Sequence, residues 1–357
     1  MFKLIRKLIL FLPLLIGMMF VSYRVDPSGL FWGAGFERLA SEYMLQGYYI
    51  DGYERLDGRK LNEVFAKNIP EAPQILINGS SRSLMVTNKI VSEGKTFYNT
   101  ANVGADIVDF FTSYYIFAKE GKEPEKMIFG IDPWIFNDKE YTLDKRSNKE
   151  LYNEFLGEEL GYENLKYEKP DKNEKFKALI DPSYFQASIR YYQKDKSEDA
   201  APEIIAPEDV MNRTEVIKAP DGSIIYDKKF RTYPQEVVDR QAVIQSGAIM
   251  RVDDFPEISE KYTDQFERFI EYLQAKNIEV VFYLPPYHPH VYRTAQRNTE
   301  KYHCFLEVED YLNSTAKKYG IEVYGSYDPE KLGLTNADFY DGIHLRRESV
   351  SKILNNL

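Results

Sequence analysis

Five short strand-like runs, alternating with helical segments and interrupted once by a long charged stretch, restrict this chain to few folds. They read QILI (74–77), KTFYN (95–99), KMIFGI (126–131), IEVVFYLPP (278–286) and IEVYG (321–325). Continuous apolar residues, as in the first run, mark strands buried on both faces, which is the habit of parallel sheets. The segments IVDFFTSYYIFAKEG (107–121), DQFERFIEYLQAKN (264–277) and VEDYLNSTAKKYG (308–320) carry helical periodicity, and Asn277 and Gly320 close the last two. Strands alternating with helices predict βαβ units, right-handed crossovers and one three-layer α/β/α domain.

Residues 136–255 break the pattern. The runs KYEKPDKNEKFK (166–177) and KDKSEDAAPE (194–203) are charged and lack apolar periodicity. They read as solvated surface on an insertion between the third and fourth core strands: a lid, a partner surface or a partly disordered segment. Within it, PDGSIIYDKKF (220–230) predicts a turn leading into a strand. Residues 36–69 read as one or two polar helices rich in tyrosine. The predicted organisation is an N-terminal segment (1–23), a helical connector (24–69) and the α/β domain (70–357).

The N-terminal segment is basic and then apolar. Residues 8–21, LILFLPLLIGMMFV, are uncharged, and Lys3, Arg6 and Lys7 precede them. Twenty residues, 4–23, are long enough to span a bilayer if the basic side chains snorkel to the headgroups. The following SYRVDPSG offers no small-x-small cleavage site, so an uncleaved anchor is expected rather than a signal peptide, with the body outside the cytoplasm. Those first 22 residues hold three of the chain's 46 basic groups and none of its 56 acidic ones, which leaves the remainder at −13. A body that acidic repels phosphate backbones, so no nucleic-acid partner is expected. Cys304 is the only cysteine, which excludes an intrachain disulfide and a cysteine-based zinc site.

Open parallel sheets bind ligands at the carboxyl ends of their strands. The residues there are Ser80 and Ser81 after the first run, Gly104 after the second, Asp132 after the third, and Tyr287, His288 and His290 after the fourth. Asp341 and His344 follow the last. A serine hydroxyl needs an imidazole to take its proton, and the imidazole needs a carboxylate to fix its tautomer. Asp341 and His344, three positions apart, can meet in a turn, and Ser81 can face His344 across the sheet. Amides of Ser81, at the start of a predicted helix 81–91 capped by Ser83 or a neighbour, and of Gly104 would hold the oxyanion. Simpler roles stand beside these: Ser80 and Ser81 as helix caps, Asp341 as an N-cap, Asp132-Pro133 as a strand stop. His288-x-His290 with His303 invites a metal, but a loop points alternate rings apart and places no third ligand, so neither metal nor cofactor is expected. Tyr287 and His288 are expected to line the substrate.

In order along the chain, NGSSRS, NTANVG, FGIDP and DGIHL resemble the four blocks of the SGNH (GDSL-type) hydrolase superfamily. The resemblance covers about residues 70–135 and 275–357. It implies a flavodoxin-like sheet, with Ser81 as nucleophile, Asp341 and His344 as its triad partners, and Gly104 as the oxyanion glycine. Arg82 and Asp132 join the expected lining. With the N-terminal segment, the GSSR variant and the insertion, the chain is similar to the membrane-anchored branch, which includes DltD-type proteins and polysaccharide O-acetyltransferases. That implies acyl transfer or ester hydrolysis on a cell-surface polysaccharide at a bacterial cytoplasmic membrane, with a multispan membrane O-acyltransferase as a possible partner. One block departs from the pattern: Asp132 stands where the superfamily has an asparagine that donates to the oxyanion. That departure keeps open a second reading, a catalytically degenerate protein that binds polysaccharide or a membrane partner.

Overall fold

The structure is a computed structural model that describes residues 2–26, 30–31, 35–91, 94–166, 173–193, 201–355 and 357; the side chains of 2–11, 174–175 and 191–193 fall outside the description. Among the described residues nine strands are formed: β1 (Tyr49–Ile50), β2 (Ile75–Asn78), β3 (Phe97–Asn99), β4 (Lys126–Gly130), β5 (Ile204–Ile205), β6 (Ile217–Lys218), β7 (Ile224–Ile225), β8 (Glu279–Leu284) and β9 (Glu322–Gly325).

Five of them make a parallel sheet in the order β3-β2-β4-β8-β9. All five were legible as short strands; β2, β4 and β8, the three central ones, are apolar because a strand buried on both faces has no reason to alternate, whereas the edge strand β9 is only half-buried. Counted among themselves, the strands lie in the order 2-1-3-4-5 of a doubly wound sheet, whose switch point opens a crevice beside the first strand. The register sets Leu76 opposite Tyr98 and Met127, and Phe282 opposite Val323. Successive side chains then fall on opposite faces. Leu76, Met127, Phe129, Val280, Phe282 and Leu284 join the larger core, under the helices Ile107–Ala118, Lys149–Glu158, Glu260–Ala275 and Thr299–Tyr319. Ile75, Ile77, Ile128 and Tyr283 join the smaller one, under the helix Arg347–Leu354. Helices thus cover both faces, as the alternation of strands and helices predicts. Phenylalanine rings fill the larger core; Phe110 and Phe129 lie 4.6 Å apart and Phe129 and Phe269 5.5 Å apart.

A second, antiparallel sheet has the order β5-β1-β6-β7. Ile50 pairs with Ile204 and with Lys218, so the connector and the insertion build it together. The connector is therefore part of the body. Its helix Gly58–Asn68 packs on Ile107–Ala118, and Phe65 stacks on Tyr98 at 3.8 Å. The insertion is equally integrated. The tip of the β6–β7 hairpin docks on the edge strand, where Asn99 N donates to Asp221 O at 2.8 Å. Gly222 has φ +80°, and a Cβ there would meet Asn99 O at 2.3 Å, so only glycine fits. Most of the charged runs at 166–177 and 194–203 lie outside the described residues.

The apolar N-terminal segment forms the helix Phe2–Val25, with Pro13 inside it, packed on the helices Glu174–Ile180 and Pro182–Gln193. Among the described residues no helix is long and apolar enough to cross a membrane. Part of the expected span, residues 4–11, has side chains outside the description.

Candidate functional site

β2 ends at Asn78, and Gly79 turns the chain with φ +138°. A Cβ on Gly79 would sit 2.5 Å from Ser83 Oγ and 2.7 Å from Gly130 O, so β2 and β4 can lie this close only with glycine here. Gly79→Ala is expected to destabilise the fold by about 2–4 kcal/mol, read as a fall in the denaturant midpoint, because it adds overlap to a disfavoured φ.

The helix expected at 81–91 is reduced to its last turn. Residues 81–85 run through tight turns, and helix is confined to Asn88–Val91. Leu84, Met85 and Val86 are all buried, and three consecutive apolar residues cannot share one face of a helix. Asn99 holds the turn instead, its Nδ2 donating to Ser83 O and Val86 O at 2.9 Å each. Ser81 therefore gains no helix terminus.

The last loop comes to meet this turn. Ser81 Oγ lies 2.9 Å from His344 Nε2, and His344 Nδ1 lies 2.8 Å from Asp341 Oδ2. Asp341 Oδ1 accepts the amides of Ile343 and His344, both at 2.8 Å. Burial raises the Asp341 carboxyl, but the neighbouring His344 charge and hydrogen bond, with the two amides, outweigh it and bring it to about 2. Ionised at neutral pH, Asp341 accepts a hydrogen bond from Nδ1–H of His344, the tautomer whose bare Nε2 faces Ser81 Oγ.

Gly104 sits at the tip of the loop after β3, with φ +65°. Asn102 N donates to Gly79 O at 3.0 Å, which ties this loop to the serine turn. Its carbonyls are held from elsewhere: Gly104 O accepts Arg251 Nη1 at 2.8 Å and Ala105 O accepts Trp134 Nε1 at 2.9 Å. Among the described residues, the amides of Ser81 and Gly104 have no acceptor.

Arg82, Asp132, Tyr287 and His288, expected to line the substrate, lie beneath the site instead. The Arg82 side chain is fully buried and its Nη1 donates to Asp132 Oδ1 at 2.7 Å. Its Nε donates to Ile343 O at 3.1 Å, and its Nη2 to Pro286 O at 2.8 Å and to Pro285 O. The Tyr287 ring faces the guanidinium at 3.8 Å. Burial works against this cation, but Tyr287 and Asp132 outweigh it and raise its pKa. One guanidinium thus joins the ends of β2, β4 and β8 to the histidine loop. Asp132 is its counter-ion, which gives the carboxylate at this position a structural reason. His288 N donates to Gly342 O at 3.0 Å and its Nδ1 accepts His290 N at 3.1 Å, while burial lowers its ring to about 4 and keeps it neutral.

The insertion supplies residues the sequence reading missed. Gln245 accepts Gly342 N at 2.7 Å and its Nε2 lies 3.4 Å from Asp341 Oδ2. Tyr226 and Phe230 place rings 5.7 and 6.3 Å from the His344 ring. Nothing local marks Gln245, because its partners lie some hundred residues away. The adjacency of IIY to a turn was the one available hint for Tyr226.

No family model matches the chain, and no curated protein matches it.

Proposed function

We propose that the chain is an SGNH-type serine acyltransferase or esterase that acts on acyl esters of a cell-surface polysaccharide. The observation that carries this reading is the Ser81–His344 contact at 2.9 Å between residues 263 positions apart, with Asp341 behind the ring. The order of the four motifs and the doubly wound sheet support it.

In this reading Ser81 Oγ attacks the acyl carbonyl while its proton passes to His344 Nε2. Asp341 stabilises the imidazolium, and the Ser81 and Gly104 amides hold the oxyanion. Collapse breaks the ester bond, and His344 returns the proton to the leaving alcohol. An acceptor hydroxyl, or water, then gives its proton to His344 and takes the acyl group from Ser81. The helix Phe2–Val25 exposes Leu12, Leu14, Ile16 and Phe20. With the basic residues before them, these side chains support a tether to the outer face of a bacterial cytoplasmic membrane, where a multispan O-acyltransferase would supply the acyl group.

A fluorophosphonate tests the nucleophile: it is expected to label the full chain at Ser81, and absence of labelling with no turnover of an acyl ester would falsify the catalytic reading. Gln245 is a positioning residue here. Gln245→Leu removes the acceptor of Gly342 N and is expected to lower kcat about 10-fold with KM unchanged, as for loss of one hydrogen bond near a charge. An unchanged kcat would remove Gln245 from the mechanism.

A further inference from the structure

A cavity of about 330 Å³ lies between the connector, the β6–β7 hairpin and the loop after β3. Ala101, Asn102 and Val103 form part of its wall, and Asn102 N donates to Gly79 O at 3.0 Å, so the loop that walls the cavity is bonded to the turn that carries Ser81. Its volume is that of a small-ligand pocket. Three cations line it, Arg59, Arg146 and Lys218, against one carboxylate, Glu54. That balance opposes the chain as a whole, whose net charge is −10.

The three cations differ in what they already hold. Arg59 is gripped by both oxygens of Asp109 at 2.7 and 2.6 Å. Arg146 holds Asp144 at 3.0 and 2.7 Å, and its side chain is 56% exposed. Lys218 is different. It is only 2% exposed, its ammonium donates to Gly222 O, and among the described residues no carboxylate lies within ion-pair distance of it. Burial lowers it to about 8, against the opposing charge of Asp221. An ammonium has three hydrogens to donate, and one buried without a counter-ion is costly unless a ligand supplies the charge. Tyr53 and Asn102 add a ring and an amide to the lining, groups suited to a sugar.

We propose that this cavity is a subsite for an anionic sugar, one bearing a carboxylate or a phosphate, with Lys218 and Arg146 as its charged contacts. The inference rests on the polysaccharide reading above for the sugar and for its place beside Ser81.

Binding to the full chain in detergent is measured by calorimetry with glucuronate, glucose 6-phosphate and glucose. None carries an acyl ester, so the result is independent of turnover, and failure of fluorophosphonate labelling would leave it standing. At least one charged sugar is expected to bind about 10-fold or more tighter than glucose, the usual strength of a charge-assisted hydrogen bond. Which of the two binds tighter names the anion. Lys218→Met is expected to bring the charged sugar to the level of glucose without lowering Tm, because a methionine of similar length removes a buried charge. Arg146→Gln, at a half-exposed position that the fold does not need, is expected to weaken the charged sugar about 5-fold and leave glucose unchanged. Equal binding of charged and neutral sugars overturns the proposal. So does a charged sugar that binds as well to Arg146→Gln and to a folded Lys218→Met as to the parent chain.

Discussion

Ser81→Ala is expected to lower acyl-ester turnover by about 10⁴–10⁶-fold, the largest effect of any single change in this chain. The size follows from how a triad works: each member is useless without the others, so removing one costs nearly as much as removing all. For the same reason Ser81→Ala combined with His344→Ala should be scarcely slower than either alone. Residual rate would come from the Ser81 and Gly104 amides, which need no side chain. Steady-state kinetics on a soluble acetyl ester, with fluorophosphonate labelling in parallel, checks both statements. A Ser81→Ala protein that still turns over ester at the parent rate would move the nucleophile elsewhere.

The second large effect concerns the buried guanidinium. Arg82→Ala leaves the Asp132 carboxylate uncompensated in the interior and strips the carbonyls of Pro285, Pro286 and Ile343 of a donor. Breaking a buried ion pair from one side costs about 3–5 kcal/mol. Calorimetry is expected to show Tm lower by roughly 4–7 °C. Asp132→Asn should be destabilising for the mirror reason, since Arg82 would lose its counter-ion. From sequence alone, Asp132→Asn was expected to speed the reaction if an oxyanion amide is missing, and to leave it unchanged if Asp132 has another role such as orienting Arg82. The 2.7 Å contact with Arg82 gives the second expectation, no gain in turnover, together with a less stable protein. The two losses should not add, because both break one interaction. A faster Asp132→Asn enzyme with unchanged Tm would end this account of the pair.

Particular residues show why some of this was readable and some was not. Ile75–Asn78 and Glu279–Leu284 stood out because strands buried on both faces are apolar without interruption. Asp341 and His344 stood out because three positions are enough for a turn to bring a carboxylate to an imidazole. The turn after Gly79 was misread as a helix: serines beside a strand end resemble a cap, and the pull of Asn99 on Ser83 and Val86 comes from another strand. Arg82 was expected to line the substrate beside Ser81; its burial is made tolerable by Asp132, three carbonyls and the Tyr287 ring, none of them its neighbour in the chain. The insertion gave one local signal, the turn and strand of PDGSIIYDKKF, which stand as the β6–β7 hairpin, but none for Gln245 or Arg251, whose partners are remote in the chain.

The amino-acid order by itself determined which segments become buried parallel strands, which helices cover them, and which chemical groups stand at the strand ends. Hydrophobic patterning and turn chemistry are local, and they act before any long-range contact exists. Tertiary structure alone decided that Arg82 lies under the site rather than in it, that the connector and insertion share a sheet, and that Lys218 is buried beside a cavity. Those outcomes depend on which partners surround a charge in three dimensions, and a charge's cost in the interior is set by those partners, not by its neighbours in the chain.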